Sequence, residues 1–173
     1  LVVCLDTFVA THPRQGLVRA KHNPYSTANR IGLFSMLPTL QSPAAFGLVF
    51  DTVDALTCPA IGRPKSATYR TADVVGLDTM AHVIQTMADT LSDDPWLKYL
   101  AVPDLLKALI AKGARGQKTG AGIYRKLGKD IQVLDIDSKD YRISGGEVAP
   151  EVADILKIRN PAEASLTLID SHL

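Results

Sequence analysis

The chain has 173 residues, of which 46% are hydrophobic and 21% charged, and its 19 Lys and Arg residues nearly balance its 18 Asp and Glu residues. A formal charge of +1 provides no field that would hold a nucleic-acid backbone or an anionic membrane surface, so we expect no nucleic acid as a partner. The apolar fraction is too high for a disordered chain, and no apolar run approaches the ~20 residues that a membrane span needs.

The first twenty residues are predicted to contain two short strands. Residues 1–10 and 17–20 are apolar with β-branched character, and the turn-like segment 11–16 separates them. Because the chain starts at Leu1 and lacks the features of a signal peptide, we interpret its N-terminus as cut out of a longer chain. Cys4 and Cys58 have no CxxC spacing, which favours reduced thiols and a cytoplasmic location over a disulfide.

Two helices are predicted next. The first begins near Pro24, with Asn23 as its N-cap, and Pro38 is expected to bend or end it. Its apolar positions at helical spacing are Ala28, Ile31 and Phe34. The second helix is capped by Asp51 and stops before Gly62.

The clearest helical periodicity lies in the middle of the chain. One helix follows Asp78, with the apolar stripe Met80, Val83, Ile84, Met87 and Leu91. The other starts at Pro103 and stops at Gly113, with the stripe Leu105, Leu106, Leu109 and Ile110. Such faces must be buried against one another, so this region is predicted to be a helical bundle.

The C-terminal part is predicted to contain a β-hairpin and two short helices. The hairpin strands are residues 131–136 and 141–143, and the helices are residues 150–158 and 161–169. A glycine-rich loop, residues 113–122, precedes them. It lacks the Gly-Lys-Thr order of a phosphate loop and follows a helix instead of a strand, so we interpret it as a chain reversal.

Candidate ligands for metals and acid–base chemistry are scattered. None of the four histidines has metal-ligand spacing to another His, Cys or carboxylate, so we predict no metal site; they are His12, His22, His82 and His172. Asp51 with Asp54, and Asp93 with Asp94, are interpreted as helix caps and solvated faces in preference to paired catalytic carboxylates.

Three segments, in order, resemble signatures of the 3-hydroxyacyl-CoA dehydrogenases. Residues 19–32, which contain Asn29-Arg30-Ile31, are similar to the junction between the two domains of that family. Residues 70–78 resemble its Asp-x-Val-Gly-Leu-Asp motif, and residues 116–124 resemble its Gly-x-Lys-x-Gly-x-Gly-Phe-Tyr loop. The resemblance implies a mainly α fold, a helical bundle of the 6-phosphogluconate dehydrogenase C-terminal-domain type with a small β-hairpin near the C-terminus.

The same resemblance implies a division of the chain. Residues 1–22 would be the remnant of the end of an N-terminal Rossmann domain, residues 23–126 the helical C-terminal dehydrogenase domain, and residues 127–173 the hairpin and helical extension seen in bacterial multifunctional members. The intact parent would oxidise a (3S)-3-hydroxyacyl-CoA to the 3-oxoacyl-CoA in fatty-acid β-oxidation, with NAD+ as hydride acceptor.

In that family the nucleotide and a His–Glu pair belong to the Rossmann domain. The glycine fingerprint and the His–Glu pair are absent from this sequence, so the chain alone is expected to bind no cofactor and to be inactive. The resemblance further implies an acyl-CoA substrate, closure of the substrate cleft by this domain, and a homodimer with a self-complementary apolar patch on the stripe-bearing helices. The alternative hypothesis is a non-catalytic helical association module that kept only the fold.

The resemblance also assigns candidate site residues. Asn29 matches the active-site asparagine of the family, and an amide suits that role because it can donate to a developing carbonyl oxygen without changing charge. The alternative is an ordinary asparagine on a helix surface. The residues that match the border of the acyl pocket, where Lys65 would meet CoA phosphates, are Pro64, Lys65, Ser66 and Tyr69.

Other positions concern the support of Asn29. Arg30 is predicted to anchor the helix instead of touching substrate. The sequence departs from the family at His22, where Asp is usual, at Ser26, where a core Phe is usual, and at Cys58, where related bacterial sequences tend to have Gly. Loss of that aromatic ring is expected to leave a gap unless a neighbour such as Tyr25 fills it.

Overall fold

The computed structural model describes residues 7–9, 11, 26–41, 48–59, 62–146, 148, 150–158, 160, 162–163 and 166–167. The helices are α1 (Thr27–Gln41), α2 (Phe50–Leu56), α3 (Tyr69–Val75), α4 (Leu77–Thr90), α5 (Asp104–Ala111) and α6 (Pro150–Ile155). Short 3-10 helices lie at Leu97–Tyr99 and Gln117–Thr119, and the strands are β1 (Tyr124–Leu127), β2 (Asp130–Leu134) and β3 (Tyr141–Ile143). This confirms the predicted fold class, mainly helical with a small sheet.

The N-terminal strand prediction is wrong where it can be compared with the structure. Residues 7–9 and 11 are helical, and the Thr11 hydroxyl donates to the carbonyl of Thr7, one helical turn earlier. A short apolar run does not by itself distinguish a strand from a helix, which explains the error. The strand predicted at residues 17–20 lies outside the described residues.

Helix α1 differs from its prediction at both ends and in its buried face. Its first residue is Thr27, because Ser26 Oγ accepts the Asn29 N–H at 3.3 Å and so acts as the N-cap. The helix continues through Pro38 to Gln41, although proline has no N–H to donate to the carbonyl one turn earlier.

The core-facing side of α1 is formed by Leu33, Leu37 and Leu40. Ile31 and Phe34, which were predicted as its apolar face, are instead 63% and 49% exposed. The prediction counted apolar residues without the neighbouring elements that decide which stripe is covered.

The stripes predicted for α4 and α5 are confirmed as core. Leu77, Met80, Ile84 and Met87 of α4 are buried and pack in one cluster with Leu106 and Leu109 of α5. Val83, Leu91, Leu105 and Ile110 are partly buried at its edge. Helix α5 runs to Ala111, and Gly113 follows with a φ of +79°, in agreement with the predicted stop.

The sheet is antiparallel in the order β1-β2-β3. The predicted hairpin is confirmed as β2–β3, whereas β1 was not predicted because its sequence, Tyr-Arg-Lys-Leu, shows no apolar alternation. Tyr124, Val133 and Leu134 belong to the same core cluster as the helices. The sheet therefore continues the helical core, and the division expected at residue 126 falls inside β1.

The C-terminal segment is helical where it is described. Helix α6 covers Pro150–Ile155, shorter than the predicted 150–158, and residues 162, 163, 166 and 167 of the last predicted helix are helical. Among the helices that the structure describes, none is long and apolar enough to cross a membrane.

Candidate functional site

Two of the motif segments meet at a buried carboxylate. Asp73 of α3 is 5% exposed, and its two oxygens accept the N–H groups of Ile123 and Tyr124 at 2.9 and 2.7 Å. Burial raises the pKa of Asp73 to about 6, although these two N–H groups act in the opposite direction. Asp73 thus ties α3 to the start of β1.

The glycines of the loop allow this close approach. A Cβ on Gly116 would lie 2.4 Å from the carbonyl oxygen of Asp73, and a Cβ on Gly122 would lie 2.0 Å from Asp73 Oδ1. Both distances are far below van der Waals contact, so only glycine fits at either position. The predicted chain reversal is confirmed, and its glycines serve packing against α3.

A surface ion pair joins the same two segments. Gly76, with a φ of +96°, separates α3 from α4. Lys118 Nζ lies 2.6 Å from the Asp78 carboxylate, and the pair helps to keep the pKa of Asp78 below its usual value. The lysine of the loop is thereby paired within the protein.

This geometry also tests the glycine loop as a cradle for a nucleotide such as NAD. A phosphate cradle presents free backbone N–H groups to an anion. Here the Asp73 carboxylate occupies that place beside Gly122, so the loop does not fit a pyrophosphate. Among the described residues, no three His, Cys, Asp or Glu side chains are grouped as metal ligands.

The interpretation of Asp54 as part of a solvated face is wrong. Its side chain is buried, and its carboxylate accepts the N–H groups of Thr68, Tyr69 and Arg70 at 2.7–3.0 Å. It caps α3 from the neighbouring helix α2, where free N–H groups at a helix start favour a negative charge. Burial nevertheless raises the pKa of Asp54 above its usual value.

Asp51 needs the same correction. It lies in the first turn of α2 without capping that helix, and is 4% exposed. Arg142 of β3 makes two hydrogen bonds to its carboxylate, at 2.6 and 2.9 Å, and Gly145 and Gly146 donate backbone N–H groups. Burial alone acts to raise the pKa of Asp51, but these donors hold it well below its usual value. Asp51 and Asp54 thus each accept backbone N–H groups from a different segment of the chain.

The predicted pocket-border residues lie on the loop before α3 and, for Tyr69, at the first position of that helix, and they differ in exposure. Pro64 and Lys65 are exposed, and the half-buried Ser66 hydroxyl pairs with the Thr71 hydroxyl at 2.7 Å. Tyr69 is fully buried, and its hydroxyl donates to the Thr39 carbonyl at 2.7 Å. Tyr69 is therefore a core residue in this structure, a position that does not fit direct contact with a ligand.

Arg63 connects this loop to α1. Its guanidinium donates to the Ser35 carbonyl and to the Thr68 hydroxyl, both at 2.9 Å. Ser35 follows Asn29 by six residues, about 9 Å along the helix axis. The Lys65 loop and Asn29 are thus held by the same helix, at positions nearly two turns apart.

Asn29 lies at the exposed N-terminal end of α1. Its side chain is on the stripe that continues through Leu33, one turn later, which is buried in the core. Asn29 therefore extends the core-facing stripe beyond the point where the core of the described residues ends. An exposed amide at this place is available to a ligand or to another domain.

Arg30, the residue after Asn29, has the predicted role of anchoring the helix. The Arg30 guanidinium forms an ion pair with Asp94, whose side chain is 9% exposed. This interaction also corrects the view of Asp94 as part of a solvated face, whereas Asp93 is exposed as expected. Sequence reasoning missed the pairing, since the partners are 64 residues apart.

The structure describes two of the positions at which the sequence departs from the family pattern, Ser26 and Cys58. Ser26 is exposed and acts as the N-cap of α1, and the gap expected at this position stays a prediction. Cys58 is half-buried as a free thiol after α2. His22 and Tyr25, like Cys4, lie outside the described residues.

A groove of about 550 Å³ follows the outer face of α1. Its walls are mostly apolar and include the exposed rings of Phe34, Trp96 and Tyr99. Phe34 and Trp96 are in edge contact, with 4.7 Å between ring centroids. Asn29 is not among the groove-lining residues, so the amide and the groove occupy different faces of one helix.

Separate comparisons with known proteins agree on one family. Residues 28–126 match the model of the 3-hydroxyacyl-CoA dehydrogenase C-terminal domain. A Bacillus subtilis protein named "Probable 3-hydroxyacyl-CoA dehydrogenase" is 45% identical over 121 residues, which are 70% of this chain and 15% of that protein. A Deinococcus radiodurans protein with the same name is 38% identical over 65% of this chain and 32% of its own length. The chain thus spans less than a third of each of these relatives.

A solved structure supports the fold. Mycobacterium tuberculosis FadB2 superimposes with a TM-score of 0.61 over 72% of this chain and 42% of that protein, at 22% sequence identity. A Rickettsia prowazekii protein, whose name describes a fatty acid oxidation complex trifunctional enzyme, is 24% identical over 72% of this chain and 18% of its own. From the matched segment and the identity to both dehydrogenase relatives, this chain belongs to the 3-hydroxyacyl-CoA dehydrogenase family and contains its C-terminal helical domain.

Proposed function

We propose that this chain is the helical part of a cytoplasmic 3-hydroxyacyl-CoA dehydrogenase that oxidises (3S)-3-hydroxyacyl-CoA to 3-oxoacyl-CoA in fatty-acid β-oxidation. The observation that carries this proposal is the position of Asn29, an exposed amide at the end of a stripe that is otherwise buried. NAD+ would accept the hydride and would be held by a Rossmann domain, because the glycine loop of this chain is filled by Asp73.

This chain would contribute hydrogen bonds to the substrate and closure of the substrate cleft. The Asn29 amide would donate to the substrate oxygen as it becomes a carbonyl, a preorganised contact that is stronger in the transition state than in the ground state. Lys65 is exposed on a loop tied to α1 through Arg63, where its ammonium would meet CoA phosphates. Helix α1 would thus bring both contacts to one substrate.

Activity assays test this function in two steps. The 173-residue chain alone, given 3-hydroxybutyryl-CoA and NAD+, should produce no NADH, whereas the longer protein that carries it should. In that protein, Asn29→Ala should lower kcat by a factor on the order of 10². Asn160→Ala, which removes another exposed asparagine side chain, should leave kcat unchanged. Turnover by the chain alone, or an unchanged kcat in Asn29→Ala, would contradict the proposal.

The groove beside α1 favours association as the second function, with a second copy of the chain as occupant. The stripes of α4 and α5 are buried, so they are not available as the predicted dimer patch. Phe34 and Trp96 instead expose about half of their surface. At one end of the groove, the Arg30–Asp94 ion pair carries no net charge. Two copies of the chain can therefore meet there without repulsion between like charges.

Sedimentation separates this association from catalysis. The chain should sediment as a dimer, and Phe34→Asp should shift it to the monomer. Val74→Asp changes another exposed apolar residue, outside the groove, and should leave the dimer intact. A strict monomer at high protein concentration would contradict the proposed homodimer. Loss of the dimer in Val74→Asp would show that the interface lies outside the groove.

A further inference from the structure

Residues 94–101, which we name the strap, follow α1 along its length. Asp94 contacts Arg30 near the start of α1, and Trp96 packs on Phe34 one turn later. At the C-terminal end, Gln41 Nε2 donates to the carbonyls of Tyr99 and Ala101, at 3.0 and 3.2 Å. The strap and α1 therefore run in the same direction and touch at three levels.

The carboxylate of Asp94 is fixed by its own turn. Its Oδ1 accepts the Trp96 N–H at 2.9 Å, and its backbone N–H donates to the Leu91 carbonyl at the end of α4. The side chain is 9% exposed, and the partner Arg30 is 34% exposed. An ion pair with one partner this well enclosed is less screened than a surface pair, so removing one partner has a larger effect.

The first turn of α1 depends on this pair. Thr27, Ala28 and Asn29 are exposed, and the buried side chains of α1 begin at Leu33. The bond from Asn29 N–H to Ser26 Oγ is local and does not connect the turn to another element. Among the described residues, the hydrogen bonds and ion pairs from this turn to another element come from Arg30.

We propose that Asp94 is a positioning residue for Asn29, since by holding Arg30 it sets where the first turn of α1 presents the amide. The inference rests on the proposed function, because positioning affects catalysis only if Asn29 takes part in the reaction. Asp94 acts through Arg30 and the helix backbone, from a place in the groove wall that Asn29 does not share.

Amide hydrogen exchange tests the positioning in the 173-residue chain, without reference to activity. Asp94→Asn keeps the shape of the side chain and removes its charge. The Arg30 N–H, which donates to the Ser26 carbonyl, should exchange on the order of tenfold faster, and core amides such as those of Ile84 and Leu106 should not change. The control Asp93→Asn, at an exposed neighbour, should leave all of these rates unchanged.

A second variant addresses the same pair from α1. Arg30→Gln should accelerate exchange of the first turn as Asp94→Asn does. Unchanged exchange at Arg30 N–H in Asp94→Asn would overturn the inference. Faster exchange throughout the chain in both variants would overturn it too, because the pair would then hold the whole fold and not the first turn.

Kinetics in the longer protein completes the test. Asp94→Asn should lower kcat about tenfold with KM for 3-hydroxybutyryl-CoA unchanged, and Asp94→Glu should recover part of the loss. If Asn29→Ala leaves turnover unchanged, the dehydrogenase role of Asn29 fails while the exchange result still decides the positioning. If Asn29→Ala is impaired and Asp94→Asn keeps full kcat, the positioning role fails while the proposed function stands.

Discussion

The carboxylate of Asp73 accepts a hydrogen bond from the backbone N–H of Tyr124, 51 residues further along the chain, at 2.7 Å. This bond joins two sequence motifs that resemble ligand-binding elements when each is considered alone. Because the carboxylate lies against Gly122, the glycine loop is filled by the protein itself. The stability of this junction, and not a phosphate, explains the glycines at these positions.

Stability should respond to pH through Asp73. The pKa of Asp73 is about 6 in the folded chain, whereas the ordinary value for an aspartate is 3.8. As pH rises, the folded chain therefore loses this proton at a higher pH than the unfolded chain does. The contribution of Asp73 is therefore fully present below pH 4 and is lost as pH rises through 6, by up to about 3 kcal/mol. Urea unfolding of the wild type and Asp73→Asn at pH 4 and 7 should show this change in their difference. A difference independent of pH would contradict it.

The Asp51–Arg142 pair should have the opposite dependence. The pKa of Asp51 is held low in the folded state, so its contribution is present at neutral pH and is lost as pH falls through the acidic range. At pH 7, Asp51→Asn should destabilise the chain by about 1.5–3 kcal/mol, because the buried carboxylate, 3% exposed, loses its charged hydrogen bonds to Arg142, while the 35% exposed Arg142 keeps Asp135 nearby. The exposed pair Lys157–Asp154 is the control, and Asp154→Asn should change the free energy of unfolding by less than about 1 kcal/mol. Equal effects of the two variants would refute this assignment.

Glycine substitutions should separate steric from conformational effects. Gly122→Ala places a Cβ 2.0 Å from Asp73 Oδ1 and should lower the free energy of unfolding by several kcal/mol or prevent folding. Gly120→Ala meets open space but has a φ of +77°, so a loss of about 1 kcal/mol is expected. Gly32→Ala, in α1 with nothing near its Cβ, should be neutral or stabilising by up to about 1 kcal/mol. Chemical denaturation ranks the three, and a Gly122→Ala protein as stable as Gly32→Ala would be the contrary result.

Among the pocket-border residues, substitution of the exposed Lys65 should affect substrate binding, whereas substitution of the buried Tyr69 should affect stability. In the longer protein, Lys65→Ala should raise KM for an acyl-CoA about tenfold, an effect that weakens with salt, because an exposed ammonium would lose its contact with phosphate. Lys129→Ala, at another exposed lysine, is the control. Tyr69→Phe should leave KM unchanged and lower stability by about 1 kcal/mol, since only the bond to the Thr39 carbonyl is lost. A raised KM in Tyr69→Phe would restore Tyr69 to the substrate site.

Helical periodicity predicted the best-covered elements correctly. The stripes of α4 and α5 are long and regular, and each is covered along its length by the other elements of the core. Helix α1 has apolar residues on two faces, so its periodicity did not reveal that Leu33 is buried and Phe34 exposed. That choice depends on the core cluster that covers Leu33, whose other members are distant in sequence.

The buried aspartates could not be recognised by their residue type. Charged side chains are mostly exposed, so Asp51 and Asp54 were assigned to the surface. The available signal was their spacing of three, which places both on the face of α2 that also carries Phe50 and Val53. Their partners, Arg142 and the start of α3, become visible only in the folded chain.

The connection between Asp51 and Arg142 has a practical consequence for anyone who cuts this domain out for expression. The family match ends at residue 126, inside β1, so a clone with that boundary would discard Arg142 and the other two strands of the sheet, β2 and β3. It would retain an enclosed carboxylate without its cation and an open strand edge, which promote precipitation. Cloning through residue 146 keeps every donor to Asp51 in the product.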